Sequence, residues 1–168
     1  MKPGRSALHH PAILDKNSRK LYDRDTLKRG ERMRLSTRGQ YGLRAMYEFA
    51  LEYEKKTPVA LGVVADRAHI PGNYLEQLAR KLRAEGLLNS YRGPKGGYIL
   101  TRDPDKITIG EILRAVEGDL APTECAVDES VCSRESACAA HNVWLKIYRS
   151  IGAVVDHMTL GDMVHPKA

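Results

Sequence analysis

The first regular pattern of apolar and polar positions begins at Ser36 and predicts a helix. Its apolar residues recur at i, i+3, i+4 and i+7 and form one stripe: Met46, Phe49, Ala50 and Tyr53. Ser36 or Thr37 is suited to cap its start, because a hydroxyl oxygen there accepts a hydrogen bond from a backbone N–H of the first turn. The polar run at 55–58, which ends in Pro58, is expected to end the helix.

Two further helices are predicted around a tight turn. The first runs from about Leu61 to His69, with Val63, Val64 and Ala68 as its apolar residues. The second runs from about Asn73 to Glu85, and its inner face is apolar: Leu75, Leu78, Ala79 and Leu82. The opposite face is polar and cationic: Asn73, Glu76, Gln77, Arg80 and Lys81. This pattern is typical of a helix-turn-helix, since Pro71 and Gly72 favour a turn; the alternative is a plain amphipathic pair that binds no DNA.

A β-hairpin is predicted directly after the second of these helices. Residues 87–92 and 98–100 have strand character, and the glycine-rich sequence at 93–97 joins them. A hairpin at this place is typical of the wing of a winged helix. Arg92 and Lys95 lie at its tip, on a backbone that is able to approach phosphates or enter a narrow minor groove. The alternative is an ordinary surface hairpin.

The remaining pattern predicts a fourth helix from Ile109 to Glu117, capped by Thr108 and ended by Gly118, and then an irregular segment. A long final helix begins near Ala140, and its apolar stripe has 3/4 spacing: Trp144, Ile147, Ile151, Val154 or Val155, and Met158. Because a small three-helix head has little surface to cover this stripe, we expect it to pack against the same helix of a second chain. The alternative is packing within one chain.

Charge is divided unevenly along the 168 residues, whose net charge is +6. Residues 1–35 carry ten Lys/Arg and four Asp/Glu, residues 36–102 carry eleven and six, and residues 103–168 carry six and eleven. A basic first part suits a polyanion such as DNA, although a mixed solvated surface is the alternative. Residues 1–32 show no sustained period and are expected to be a flexible basic extension, with Met33 a candidate natural start. No apolar run is long enough to span a membrane, and we expect a cytoplasmic protein.

The three cysteines are clustered, and His141 follows them in the pattern Cys125-x6-Cys132-x5-Cys138-x2-His141. An odd, clustered set favours metal or redox chemistry over a disulfide framework. Thiolates favour iron–sulfur clusters, zinc and copper(I), and the long gaps suit a loop around a cluster. A tetrahedral zinc site and a redox thiol pair stay open as alternatives.

Four separated motifs closely resemble the bacterial IscR/NsrR family of winged-helix regulators. They are Met-Arg-Leu-Ser-Thr-Arg-Gly-Gln-Tyr-Gly at 33–42, Tyr-Leu-Glu-Gln-Leu at 74–78, Arg-Gly-Pro-Lys-Gly-Gly-Tyr at 92–98, and the cysteines with Trp144 and Thr-Leu-Gly-Asp at 159–162. The resemblance covers about Met33 to Val164. It implies a homodimer that binds a palindromic operator, and an iron–sulfur cluster whose oxidation, loss or nitrosylation alters DNA affinity.

The resemblance also implies roles for particular residues. Asn73, Tyr74, Glu76 and Gln77 match the major-groove reader, and Arg92 matches the wing residue of the minor groove. Cys125, Cys132, Cys138 and His141 match the ligands of the 2Fe–2S members.

Three departures from the family pattern stand beside these matches. Asn73 replaces a serine of IscR, and the first cysteine gap is one residue longer than in IscR. Gln40 lies where NsrR-type members supply an aspartate, which disfavours their 4Fe–4S mode. A 4Fe–4S cluster with an outside ligand stays open.

The sequence thus predicts a mainly α-helical DNA-binding regulator, a repressor or activator. Its segments are a basic extension (1–32), a winged-helix DNA-binding domain (33–118), a cluster-binding loop (119–139), a dimerisation helix (140–160) and a C-terminal tail (161–168). The expected DNA contacts are Asn73, Tyr74, Glu76, Gln77, Arg80, Arg92 and Lys95. Glu76 either reads cytosine or pairs with Arg80 at i+4. Because no phosphate loop, nucleophile motif or carboxylate pair stands out, a redox enzyme is disfavoured; a zinc-binding or metal-free regulator that responds to a small molecule or partner protein is the alternative.

Overall fold

The structure is a computed structural model that describes residues 36–132 and 138–166. The extension predicted at 1–32 lies outside the described residues. The helices are α1 (Thr37–Leu51), α2 (Leu61–Ala68), α3 (Gly72–Ala84), α4 (Ile109–Glu117), α5 (His141–Val155) and α6 (Leu160–Val164). The strands β1 (Leu88–Tyr91) and β2 (Gly97–Leu100) form an antiparallel hairpin. Short 3₁₀ turns lie at Tyr53–Lys55, Pro104–Lys106, Glu124–Ala126 and Glu129–Val131. The predicted fold class, a mainly helical winged helix-turn-helix, is confirmed.

Helix α1 lies at the centre of the head and contacts α2, α3, α4 and α6. The Ser36 hydroxyl caps it as predicted, accepting a hydrogen bond from the Arg38 backbone N–H at 3.0 Å. The predicted stripe is buried at Met46, Phe49 and Ala50. The helix ends at Leu51, before the predicted 55–58, because the chain tightens into a 3₁₀ turn that carries half-buried Tyr53.

The helix-turn-helix is formed by α2 and α3. His69 ends α2 in the left-handed conformation, with φ 52°. The predicted inner face of α3 is buried at all four of its positions, Leu75, Leu78, Ala79 and Leu82. The prediction for α2 was wrong at one residue: Val63 is 42% exposed, because the buried stripe of this short helix runs through Val64, Ala65 and Ala68.

The wing is tied to the head through the residue that precedes α2. Val59 and Tyr98 exchange backbone hydrogen bonds of 2.8 and 2.9 Å. A Cβ at Gly97 would collide with the Val59 backbone, so this close approach requires glycine. The hairpin register pairs Leu88 with Leu100, both buried, and this pair joins the wing to the core.

The C-terminal part of the chain returns to the head. Thr108 and Thr159 form an isolated antiparallel bridge, and the backbone N–H of Leu160 donates to Ile107 at 2.8 Å. Leu160 is fully buried and belongs to the core. The segment predicted as a tail therefore begins within α6, which packs on the head. No helix in the part of the chain that the structure describes is long and apolar enough to cross a membrane.

Candidate DNA-binding surface and cysteine site

The outer face of α3 is exposed and polar, as its sequence pattern predicts. Asn73, Glu76, Gln77 and Arg80 are all exposed. Glu76 and Arg80 lie 3.6 Å apart and are 59% and 71% exposed, so the intrahelical ion pair considered above is present. An exposed pair of this kind is weak, and it leaves the carboxylate accessible to another partner.

Tyr74 occupies a different position from its exposed neighbours. It is half-buried and packs edge-to-face against Tyr41 of α1, with ring centroids 5.6 Å apart. Its ring therefore fixes the start of α3 against α1. Lys81, which the pattern places on the outer face, donates from Nζ to the carbonyl oxygen of Val116 at 3.0 Å and so ties α3 to the end of α4.

The wing presents both of its predicted cations. Arg92 and Lys95 are exposed on either side of a tight turn, which the Gly96 N–H closes by donating to Gly93 at 2.8 Å. Arg83 of α3 donates to the Ser90 hydroxyl at 3.2 Å, so the wing and the recognition helix are linked directly. An outward-facing helix and a cationic wing on one rigid head are the two elements with which winged helices bind duplex DNA.

The cysteines lie in the segment between α4 and α5. Cys125 lies in the 3₁₀ turn Glu124–Ala126, Cys132 follows the turn Glu129–Val131, and Cys138 precedes α5. All three are half-buried and none forms a disulfide. The Cys125 turn packs against α5, and its Sγ lies 3.4 Å from the Thr123 hydroxyl.

His141 is the first residue of α5 and is buried, with 7% of its surface exposed. Its backbone N–H donates to the Cys138 carbonyl at 3.1 Å, which places the two residues on one turn of chain. Three thiols and an imidazole have the donor chemistry that an iron–sulfur cluster requires. Within 36–132 and 138–166, however, no three His, Cys, Asp or Glu side chains are gathered closely enough to hold a metal ion. The four predicted ligands thus stay a prediction.

The end of α4, just before the cysteine segment, is bonded to two other parts of the head. The Glu117 carboxylate accepts hydrogen bonds from the Gly39 N–H, at 2.8 Å, and from the Ser36 hydroxyl. The neighbouring Val116 carbonyl accepts the bond from Lys81. Gly118 follows at once with φ 94° and ends the helix. Sequence periodicity gave no sign of these contacts, because each joins residues far apart in the chain.

Helix α5 is held to α4 by charged groups. Arg114 donates two hydrogen bonds to Asp156, of 2.7 and 2.9 Å. These bonds lower the pKa of the Asp156 carboxyl, and the same contact raises the pKa of Arg114. Tyr148 of α5 donates to Asp119 at 3.3 Å; burial and the Asp119 charge raise its pKa.

The fold and the reading surface define a winged-helix DNA-binding protein. Residues 35–166 match the Rrf2 family model, described as an iron-dependent transcriptional regulator. The chain belongs to this family and is a transcriptional regulator rather than an enzyme.

Individual relatives show the same likeness. The chain is 39% identical over 131 residues to the HTH-type transcriptional regulator CymR of Bacillus subtilis (strain 168), covering 78% of this chain and 89% of CymR. It is 36% identical over 133 residues to IscR of Klebsiella pneumoniae (strain 342), covering 79% and 80%. The solved structure of B. subtilis CymR, titled the global cysteine regulator, gives a TM-score of 0.64 at 36% identity, covering 82% of this chain and all of that one. T. potens IscR gives 0.61 at 39% identity, covering 80% and 88%.

Proposed function

We propose that this regulator binds a palindromic operator as a homodimer, and that an iron–sulfur cluster on Cys125, Cys132, Cys138 and His141 sets its affinity. The observation that carries the proposal is the position of these donors in the segment that joins the DNA-reading head to α5. A 2Fe–2S cluster fits the ligand set best, and a 4Fe–4S cluster with an outside ligand is the second form. The protein would act in the cytoplasm.

The chemistry of the segment supports a cluster. Three thiols that form no disulfide are the soft ligands that such a cluster requires. The N-terminal end of α5 carries the positive end of a helix dipole, which stabilises negative charge beside Cys138 and His141. When bound, the cluster supplies a redox-active group whose loss or oxidation changes the charge and the ligation of this segment.

The contacts at the end of α4 supply a path from this segment to the reading surface. Gly118 begins the segment directly after Glu117, which is bonded to the first turn of α1, and Val116, which is bonded to Lys81 of α3. Ordering the segment would hold these bonds in one arrangement. The orientation of α3 relative to α5 would then be fixed, and with it the spacing of the two recognition helices that operator half-sites must match.

The exposed apolar face of α5 supports the homodimer. Among the described residues of α5, His141 alone is buried, and several large apolar side chains of this region are exposed: Val143, Trp144, Val154 and Met158. A helix that buries almost nothing in its own chain is stable when a second copy covers it. Replacing Val154 with Glu should convert dimer to monomer in sedimentation velocity, and an unchanged dimer would contradict this interface.

The proposed DNA contacts are the outer face of α3, with Asn73, Tyr74, Glu76, Gln77 and Arg80, and the wing, with Arg92 and Lys95. An Arg92→Ala variant should weaken binding to a duplex isolated by in vitro selection with this protein. Unchanged binding in a gel-shift assay would count against the wing contact.

A second candidate is a zinc-binding or metal-free regulator that responds to a small molecule or partner protein. One observation favours it: a relative at 39% identity is CymR, whose solved structure is titled the global cysteine regulator. Its readout would be DNA affinity that changes with such an effector and not with iron.

Anaerobic purification of the whole chain separates the two candidates. The cluster predicts brown protein with iron, sulfide and an absorption band near ~420 nm, as charge transfer from thiolate or sulfide to iron produces. Cys138→Ser and His141→Ala should each reduce or shift the band, while His157→Ala, an exposed histidine of the same region, should leave it unchanged. Colourless protein with stoichiometric zinc, or with no metal, would sink the cluster and support the second candidate.

A further inference from the structure

Arg44 of α1 lies beside the start of the recognition helix, outside the surfaces assigned above. Its guanidinium carbon lies 5.9 Å from the centre of the Tyr41 ring, within the range of a cation–π contact. The Tyr41 ring in turn packs edge-to-face on Tyr74, the third residue of α3, at 5.6 Å. The two rings therefore connect an exposed cation on α1 to the part of α3 that enters a DNA groove in helix-turn-helix proteins.

The charge on Arg44 is not neutralised locally. Within the residues that the structure describes, no carboxylate forms an ion pair with Arg44, which is exposed. Glu48, one turn further along α1, lies 3.9 Å from Arg67 of α2. Arg38, one turn before Tyr41, is also exposed. Arg38, Tyr41 and Arg44 follow one another at intervals of three, so they share one side of the helix.

We propose that Arg44 binds a phosphate of the DNA strand that borders the groove entered by α3. The first helix of such folds crosses the DNA backbone, and phosphate contacts fix the register of the recognition helix. A guanidinium binds phosphate oxygens through two parallel N–H donors, which makes arginine well suited to this contact. The contact with Tyr41 holds the side chain on the side of α1 that adjoins Tyr74. This contact concerns DNA binding alone and does not depend on the cluster.

A phosphate contact has a measurable signature. It carries no sequence information, so losing it weakens binding to every duplex by a similar factor. Each lost contact reduces the slope of log affinity against log salt concentration by about 0.9. Relative to binding extrapolated to 1 M salt, this corresponds to roughly eightfold weaker binding at about 0.1 M.

The experiment measures fluorescence anisotropy of the full chain on two duplexes of about 30 base pairs, long enough for two half-sites. One has mixed sequence, and the other is isolated by in vitro selection with this protein. Arg44→Ala should weaken both to a similar extent and reduce the salt slope. Arg44→Lys should keep the slope while losing part of the affinity. Lys55→Ala is the matched control, because Lys55 is an exposed cation beyond the other end of α1, paired with Glu52 at 2.6 Å.

Two results would overturn the proposal. One is an Arg44→Ala variant with the salt slope of the parent protein. The other is a loss confined to the selected duplex, which would make Arg44 a base contact or a structural residue. Circular dichroism and urea unfolding of Arg44→Ala test folding, and the Arg44→Lys slope supplies the answer if the alanine variant is unstable.

Discussion

The Glu117 carboxylate acts as a distant cap for α1, and its removal is expected to destabilise the head measurably. It accepts hydrogen bonds from the Gly39 N–H and the Ser36 hydroxyl, 78 and 81 residues away in the chain. Gly39 is buried. In a Glu117→Ala variant its N–H therefore loses a charged acceptor where water has little access.

The expected cost follows from these two bonds. A hydrogen bond to a charged group contributes about 1.5–3 kcal/mol, and a buried donor left without a partner is the larger part of its loss. Ser36 is exposed, so water replaces its bond at little cost. An anion at a helix N-terminus adds about 0.3–1 kcal/mol. Glu117→Ala should therefore lower the free energy of unfolding by about 2–3 kcal/mol, and Glu117→Gln, which keeps an acceptor, by about 0.3–1 kcal/mol.

Urea unfolding followed by circular dichroism measures these changes. Glu54→Ala is the control, because Glu54 is an exposed acid beyond the other end of α1 and should shift stability by less than about 0.5 kcal/mol. Gly39→Ala approaches the same carboxylate from the opposite side, since its Cβ would lie 2.9 Å from Glu117 Oε1. In an ordinary helix interior that change stabilises by about 0.5–1 kcal/mol, and here it should not. Parent-like stability of Glu117→Ala, together with a stabilised Gly39→Ala, would refute the reasoning.

Three further predictions concern the packing of the C-terminal part. Leu160→Ala should lower the free energy of unfolding by about 2.7–5 kcal/mol, because the side chain is fully buried; a loss below about 1 kcal/mol in urea would mean that α6 is not part of the core. Gly110→Ala places a Cβ against the Asp156 carboxylate and should cost about 0.2–1 kcal/mol by breaking its exposed pair with Arg114. No further loss is expected when Arg114 is already alanine, and additive losses would contradict this. Because Arg114 holds the pKa of Asp156 below its usual 3.8, the pair stabilises the fold above that value and ceases to do so as the pH falls through the lowered pKa. Asp156→Asn should therefore flatten the loss of stability below about pH 4, and stability curves that stay parallel in acid would argue against it.

Features encoded by local sequence pattern were predictable. The inner face of α3 follows from one helical period, and all four predicted residues are buried. Thr108 and Gly118 bound α4 as predicted, because caps depend on a hydroxyl oxygen and on a glycine at the residues concerned. The hairpin followed in the same way from short apolar runs around a glycine-rich turn.

Features made by distant residues were not predictable in the same way. Lys81 has the spacing of an outward-facing residue, yet its long side chain reaches the Val116 carbonyl. Val63 looked like a core residue, because a two-turn helix has too few positions to fix the direction of its stripe. The return of Leu160 to the core depends on the bridge between Thr108 and Thr159, two residues that share no local pattern.

The candidate site divides along the same line. The thiol and imidazole donors were evident from residue type and spacing, since soft ligands are few in this chain. Their gathering into one site stays a prediction, because it depends on how the segment between α4 and α5 is arranged. Arg44 was missed for another reason: α1 has a buried apolar stripe, and this pattern describes its inner face and not what its outer face contacts.

The position of the cysteine segment argues for control through geometry rather than through blocked contacts. The exposed residues of α3 and the wing tip are separate from the cysteines in sequence, whereas the start of the segment adjoins Glu117 and Val116. These two residues bond to α1 and to Lys81 of α3, so a rearrangement there acts on how the reading helix is held. Under the proposed function, Lys81→Met should therefore reduce the difference in operator affinity between protein with and without the cluster. Its affinity for a mixed-sequence duplex should fall less, because Lys81 is engaged by Val116 and makes no phosphate contact. An unchanged response to cluster removal in this variant would exclude the α4 end as the route of control.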